Sequence, residues 1–312
     1  MVYSGVLLVD KPSGPGSRDV DRQIARHLGV SKVGHVGTLD PLASGLLILL
    51  VGQGTKLSQF LVGARKRYQA VVELGRTTDT YDVEGRETST ADWHDVTADR
   101  ISTILNRYRG RFDQTPPPFS AIKVDGVANY KRARRGEEVE LTPRTVEIAE
   151  LNVLNLQLPR ITLDVRCSKG TYMRSLANDI GQDLGCGGVL AEIRRVESEP
   201  FHLMHATALR DILAASPEAA ARLVIPLSEA LSHLPVIKAT AALDARLDVG
   251  NLPQTRDLGP IHDLDFREGD LLVIAGSRRI GIFKAETDSH NLRHHPRPLS
   301  YLRVIDRDDL ER

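Results

Sequence analysis

Gly34-His35-Val36-Gly37-Thr38-Leu39-Asp40-Pro41-Leu42-Ala43-Ser44-Gly45-Leu46 is the stretch on which the reading of this chain turns. One carboxylate, Asp40, stands among three glycines and directly before a proline. Glycine admits tight turns and the close approach of another backbone or a ligand. Pro41 fixes its own φ and pushes Asp40 away from helical backbone. The apolar run 46–51 that follows is the size of a strand. Asp40 is therefore expected on a tightly shaped loop beside a buried element, where catalytic groups are commonly carried. Taken alone, an Asp-Pro pair is a turn initiator. Thirteen residues of this composition are not an isolated pair.

The whole chain of 312 residues has room for one large or two ordinary domains. Its hydrophobic fraction of 41% and charged fraction of 26% fit a water-soluble globular protein rather than a disordered or membrane-embedded one. Forty-one basic residues balance 41 acidic ones, so a nucleic-acid partner needs a local basic patch. The two cysteines, Cys167 and Cys186, form no Cys-x-x-Cys pair and are expected as reduced thiols. His294-His295 lies in a polar stretch with Arg and Pro and is expected in a solvated loop, not a metal site. No secretory leader pattern opens the chain. No apolar run approaches the ~20 residues that span a bilayer. The expectation is a cytoplasmic protein with no membrane contact. Neither a Gly-x-Gly-x-x-Gly helix start nor a Gly-Lys-Ser/Thr phosphate loop is present, and no cofactor or metal is expected.

Periodicity predicts strands at 5–9, 46–51, 67–74, 120–124, 146–154 and 161–167. Helices are expected from Ser17, a candidate N-cap, with Val20, Ile24 and Leu28 on one face, and over 54–62, 97–108 and 171–184. Gln114-Thr115-Pro116-Pro117-Pro118 must be extended. Ala-rich helical pieces broken by Pro217, Pro226 and Pro235 give way to short strands at 270–275, 280–285 and 299–305. The boundary is expected near 235, with 236–312 as a small β-rich module. Interleaved strands and helices before it allow α/β or α+β, and periodicity does not decide between them.

Six separated motifs, in order, resemble the TruB-type tRNA pseudouridine synthases. They are Gly5-Val6-Leu7-Leu8-Val9-Asp10-Lys11-Pro12, the Asp40 loop, Lys66-Arg67-Tyr68, Thr78-Asp79-Thr80-Tyr81-Asp82-Val83-Glu84-Gly85, residues 114–123, and Cys167-Ser168-Lys169-Gly170-Thr171-Tyr172-Met173-Arg174. The resemblance covers nearly the whole chain. It implies an α+β fold: a mixed, largely antiparallel sheet flanked by helices with a central cleft, in a catalytic domain of residues 1–235. Residues 236–312 in turn resemble a PUA domain, a small RNA-binding β-barrel, on Leu247–Gly250, Phe266–Gly269 and Arg279-Ile280-Gly281-Ile282-Phe283. The implied activity is isomerisation of uridine to pseudouridine at position 55 in the T-loop of tRNA. The glycosidic bond breaks, the base turns, and ribose C1′ is rejoined to C5.

Within that resemblance Asp40 is the catalytic carboxylate, as nucleophile or as base. Tyr68 stacks on the flipped base and is the candidate for C5 proton transfer; by composition alone it is a core tyrosine. Arg174 pairs with Asp40 and keeps it ionised and oriented, a task suited to a planar, permanently charged fork. Asp82 positions Arg174 from the other side. Lys11 and Pro12 frame the pocket floor, and Ile193 presses on the uracil ring. His35 either contacts displaced bases or phosphate, or is a turn histidine satisfied by backbone.

Residues 107–135 carry eight Arg/Lys against Asp113 and Asp125, a local balance of +6 on a neutral chain. A charge run is ordinarily a solvated face, but basic residues interleaved with aromatics suit RNA. Lys123, Tyr130, Lys131, Arg132, Arg134 and Arg135 are the expected RNA contacts, on a gripping insertion of about 107–141. The partner is the tRNA elbow or T-arm, whose uridine must be flipped out to react; a monomer with no obligatory protein partner is expected. Gly16-Ser17, Arg18, Gly187-Gly188-Val189 and Asn129-Tyr130-Lys131 depart from the family's usual residues, which bears on RNA contacts rather than on the catalytic candidates. An RNA-folding chaperone is compatible with the same residues. A guide-RNA-dependent relative would carry lengthened basic termini, and a glycosidase needs a second positioned carboxylate.

Overall fold

The run Leu46-Leu47-Ile48-Leu49-Leu50-Val51 has no polar alternation because both of its faces are covered. Leu46, Ile48 and Leu50 point into one buried cluster, and Leu47, Leu49 and Val51 into another. The neighbouring strand repeats the pattern, with Val6 and Leu8 on the first side and Leu7 and Val9 on the second. A computed structural model describes residues 4–61, 65–120, 123–124, 127–128, 132, 135, 137, 141–251, 258, 265–291, 295 and 299–306.

The main sheet is ten-stranded. Its longer members are β1 (Gly5–Lys11), β2 (Val33–Val36), β3 (Ser44–Val51), β4 (Arg65–Leu74), β5 (Gly110–Gln114), β6 (Arg144–Gln157), β7 (Arg160–Ser168) and β8 (Gly188–Ser198). The spatial order is β1-β3-β8-β4-β7-β6-β5, with β2 on β3, Phe201–His202 on β8 and Thr207–Ala208 outside β1. Pairing is antiparallel except for β8 with β3 and Thr207–Ala208 with β1. The sheet is thus mixed and largely antiparallel, and the fold is α+β.

Helix α1 (Ser17–Leu28) buries Val20, Ile24 and Leu28 against Leu47, Leu49 and Val51. Helices α2 (Ala98–Arg107) and α3 (Met173–Leu184) cover the other half of the sheet. Their Ile101, Ile104, Leu105, Leu176 and Ile180 meet Ala70, Val72, Leu163 and Val165. Among the described residues no helix is long and apolar enough to cross a membrane.

Several expectations shift. Gly16, not Ser17, caps α1, and the Asp19 carboxylate accepts from its N–H at 3.1 Å; the Ser17 hydroxyl is spent on the Asp40 loop instead. The segment expected as a helix over 54–62 is a 3₁₀ helix at Gly52–Phe60. Helix α3 starts two residues later than expected. Among the described residues of 120–124, Lys123–Val124 is strand, paired with Val127–Ala128, and Ser120 is buried outside it. Strand β8, the central strand of the sheet, has no counterpart in the periodicity reading.

After α4 (Leu209–Ala214), α5 (Pro217–Ala221) and α6 (Leu227–Ala230), the C-terminal residues form an open sheet in the order β9-β10-β11-β12: β9 (Val236–Lys238), β10 (Leu271–Ala275), β11 (Arg279–Ala285) and β12 (Leu299–Asp306). Helix α7 (Ala241–Asp248) packs its Leu243 and Leu247 on Ile274 and Phe283. The opposite side, with Val273, Ile280, Ile282 and Ile305, joins the cluster of Leu46, Ile48 and Leu50 through Leu227 and Leu231. Hydrophobic burial is therefore continuous across the boundary expected near 235.

Ile48 is fully buried in that shared cluster. Ile48→Ala should cost about 2–5 kcal/mol, whereas Val153→Thr at a 42% exposed site should stay within about 0.5 kcal/mol. Urea unfolding of both variants reads the difference; equal losses would contradict the packing described.

Candidate active site

Four polar fastenings surround Asp40. The Ser17 hydroxyl donates to the Leu39 carbonyl and accepts from the Leu39 N–H, both at 2.8 Å. Gly14 N–H donates to the Pro41 carbonyl at 2.9 Å. Lys11 Nζ donates to the carbonyls of Pro15 at 2.7 Å, Pro12 at 2.9 Å and Pro41 at 3.4 Å. Arg195 Nη2 donates to the Gly37 carbonyl at 2.8 Å. The loop backbone is held on both sides while the Asp40 side chain stays half exposed.

Two of the loop's glycines are required by this packing. Gly37 has φ +72° and Gly45 φ +94°, a region that penalises side chains. A Cβ on Gly45 would lie 2.3 Å from the Arg195 carbonyl oxygen.

Arg174 enters from the first turn of α3 and is buried. Its Nε lies 3.0 Å from Asp40 Oδ2 and 3.7 Å from Asp82 Oδ2. Nη1 donates to the Thr80 carbonyl at 3.1 Å and Nη2 to the Phe119 carbonyl at 2.9 Å. Asp82 is buried, its Oδ1 accepting from Thr80 Oγ1 at 2.7 Å and from Glu84 N–H at 3.1 Å. Its loop docks on β8 through Val83 and Leu190. The segment leading to Phe119 is tied to the start of α3: the Gln114 amide exchanges two hydrogen bonds with the Tyr172 backbone, and Ser175 Oγ donates to the Thr115 carbonyl at 2.7 Å.

Tyr68, on β4, is buried among Ala70, Val165, Cys167 and Met173. Burial pushes its phenol above the ordinary value, and the Arg195 guanidinium against it pulls the other way. Ile193 is partly buried and packs against the clusters on both halves of the sheet. Pro12 is exposed beside the loop.

His35 departs from the turn reading of it. It lies on β2 rather than in a turn, with Nδ1 2.7 Å from Asp21 Oδ2 and Nε2 3.1 Å from Thr38 Oγ1. Its partners are side chains, not backbone.

Of the basic insertion, Tyr130, Lys131 and Arg134 lie outside the described residues, and only the backbone of Lys123 is described. Arg135 pairs with Glu137 at 3.5 Å; Arg132 is described as half-buried. Arg107 and Arg111 pair with Asp183 and Glu147, remote in sequence, which lowers the effective +6 of the segment.

The periodicity reading missed Arg195, fully buried on β8, and Lys66, whose ammonium burial depresses. Both approach Gly37. Among the described residues no three His, Cys, Asp or Glu side chains converge as a metal site. What converges is an oriented carboxylate open to solvent, a buried phenol and an apolar wall.

Residues 25–173 match the family model described as TruB family pseudouridylate synthase (N terminal domain), and 174–232 match tRNA pseudouridylate synthase B C-terminal domain. The chain is 43% identical over 274 residues to tRNA pseudouridine synthase B of Syntrophotalea carbinolica, covering 88% of this chain and 89% of that one. To tRNA pseudouridine synthase B of Oleidesulfovibrio alaskensis it is 43% identical over 288 residues, 92% of each. Among solved structures, a Cbf5-Nop10-Gar1 complex holds a chain similar at TM-score 0.75 and 26% identity, with 98% of this chain and 87% of that one covered. An H/ACA RNP bound to a substrate RNA containing 2′-deoxyuridine gives TM-score 0.73 and 25% identity, covering 98% and 86%.

Burial depresses Lys11 from 10.5 to about 8, against the pull of Asp40 and Glu84. Between those values the unfolded chain keeps a proton that the folded chain releases. The Lys11 contribution to unfolding free energy therefore rises with pH across that window and is flat below it. Denaturant unfolding at about pH 7 and about pH 9.5 should show this rise in the parent and its loss in Lys11→Met; equal pH responses would contradict it.

Proposed function

The chain belongs to the TruB family of pseudouridylate synthases, and from that premise we propose that it converts uridine 55 in the T-loop of tRNA with Asp40 as its catalytic carboxylate. It is an enzyme that isomerises uridine to pseudouridine in tRNA. The observation that carries the assignment of Asp40 is the 3.0 Å approach of Arg174 to a carboxylate whose loop is otherwise pinned and whose side chain faces solvent. Attack on ribose C1′ and removal of a sugar proton both require that carboxylate aimed, and the Arg174 guanidinium beside it sets its direction. Once the uridine is flipped out of its loop, Tyr68 stacks on the ring and takes the C5 proton. Ile193 supports the opposite side of the base, and Lys11 and Pro12 hold the floor.

RNA contact falls to the insertion, whose root at Phe119 is bonded to Arg174. His35, held by Asp21 and Thr38, serves as a base or phosphate contact in this reading. Residues 1–235 carry the chemistry in this proposal. Residues 236–312 act as a PUA-like RNA-binding module, and the chain works as a monomer with no obligatory protein partner. The mixed charge of the chain supports recognition by shape and by a local patch rather than by the average field.

Asp40→Asn keeps the size and removes the charge. It should abolish pseudouridine formation while tRNA still binds; a rate within about tenfold of the parent would exclude Asp40 as the catalytic group. Mapping pseudouridine across total RNA with and without the protein tests the site: loss confined to position 55 of tRNA is expected, and loss elsewhere alone would refute it. Replacing Lys131, Arg132, Arg134 and Arg135 together should weaken tRNA binding and flatten its log–log salt dependence by roughly 0.7–0.9 for each phosphate no longer neutralised. An unchanged slope would return these residues to a solvated face.

A further inference from the structure

Among the described residues, Arg195 is one of the largest side chains sealed completely from water. On β8 it stands in register with Tyr68 of β4 on one side and Gly45 of β3 on the other. Nε donates to the Leu46 carbonyl and Nη2 to the Gly37 carbonyl, both at 2.8 Å. The titratable side chain that acts on the guanidinium is that of Tyr68, its partner across the β8–β4 pairing. Burial works against its charge, and Tyr68 is the group that works for it.

A cation buried without a carboxylate is expensive. Two carbonyls do not explain the expense, because an uncharged amide donor serves them at lower cost. The remaining neighbour is a phenol, which becomes an anion when it gives up its proton. The two carbonyl bonds fix the plane of the fork, so the cation does not have to reorganise when that charge appears.

We propose that Arg195 is a positioning residue for Tyr68, holding the phenol oxygen toward the base and stabilising its phenolate for removal of the C5 proton. This rests on the reading of Tyr68 given above. In the step itself, the phenolate oxygen takes the proton from C5 of the rejoined base. The C–H electron pair closes the C5–C6 double bond, the C6–N1 double-bond pair moves onto N1, and Tyr68 becomes a neutral phenol. Its proton then passes to water, while N1, freed from the sugar, gains one, so the isomerisation is proton-neutral. The other groups acting on Tyr68 are Cys167 of β7 and Asp40 of the loop, both opposing ionisation. Lys66, two positions before it on β4, and Lys11 of β1 add positive charge near Arg195.

The test uses the full chain and a T-arm stem-loop whose uridine carries hydrogen or deuterium at C5, under single turnover at saturating RNA. Arg195→Met should bind RNA within about threefold of the parent yet react on the order of a hundredfold more slowly. Its rate should show a larger deuterium effect than the parent and climb with pH where the parent is flat. Arg195→Lys should recover at least about tenfold of the loss. It also carries the test if the Met variant does not fold: a slowed rate with an enlarged deuterium effect supports the role. A parental deuterium effect and pH profile in a slowed variant would reduce Arg195 to a structural residue, and a parental rate would remove it altogether. Tyr68→Phe separates the two layers. If it is slow while Arg195→Met is not, the Tyr68 reading stands and the Arg195 inference falls. If Tyr68→Phe itself keeps the parental rate and deuterium effect, the Tyr68 reading falls first.

Discussion

One guanidinium, that of Arg174, meets three parts of the chain that lie far apart in sequence. It faces the Asp40 loop, the turn that carries both Asp82 and the Thr80 carbonyl, and the Phe119 carbonyl. Two carboxylates balance a charge that burial would otherwise penalise, and the planar fork sets their directions in a way a lysine cannot. The consequence is mechanical as well as electrostatic. The Asp40 loop, the turn at 79–85 and the segment ending at Phe119 are referenced to one rigid group at the start of α3.

The rigidity behind that group comes from the seam of the sheet. Strand β8 runs between β3 and β4, parallel to one and antiparallel to the other. Three consecutive residues on it do separate tasks. Ile193 packs against the clusters of both halves, Arg194 pairs with Asp10 at 2.7 Å, and Arg195 reaches the Gly37 carbonyl and stands opposite Tyr68 in register. The C-terminal sheet lies on the face of β1 and β3 opposite α1, so both faces of the strands flanking the loop are buttressed. The Asp40 carboxylate, left half exposed, is carried by elements that are themselves buried.

Regular burial was legible in the sequence, and irregular burial was not. Helix α1 and strands β1, β3, β4 and β7 announce themselves because their apolar residues recur at the helical or strand period. Strand β8 hides because its register shifts twice against β4, at Leu190/Glu192 and Arg195/Glu197, and because it buries an arginine, a residue type normally read as surface. Ser17 reads as a cap since capping is local, whereas its real bond to Leu39 spans 22 positions. The insertion looked more basic than it is because Asp183 and Glu147 reach it only in space. The motifs around Asp40, Tyr68 and Arg174 fared differently: they named residues that the fold brings together across more than a hundred positions, which no local period predicts.

The claim at the centre is that Arg174 aims the Asp40 carboxylate rather than merely filling space beside it. Arg174→Lys keeps a positive charge and gives up the fork, so its single-turnover rate of pseudouridine formation at saturating tRNA, measured beside its tRNA affinity, is the direct test. The expected result is a rate lowered on the order of a hundredfold with affinity within about threefold of the parent. A rate equal to the parent's, or a loss expressed wholly as weaker tRNA binding, would contradict it.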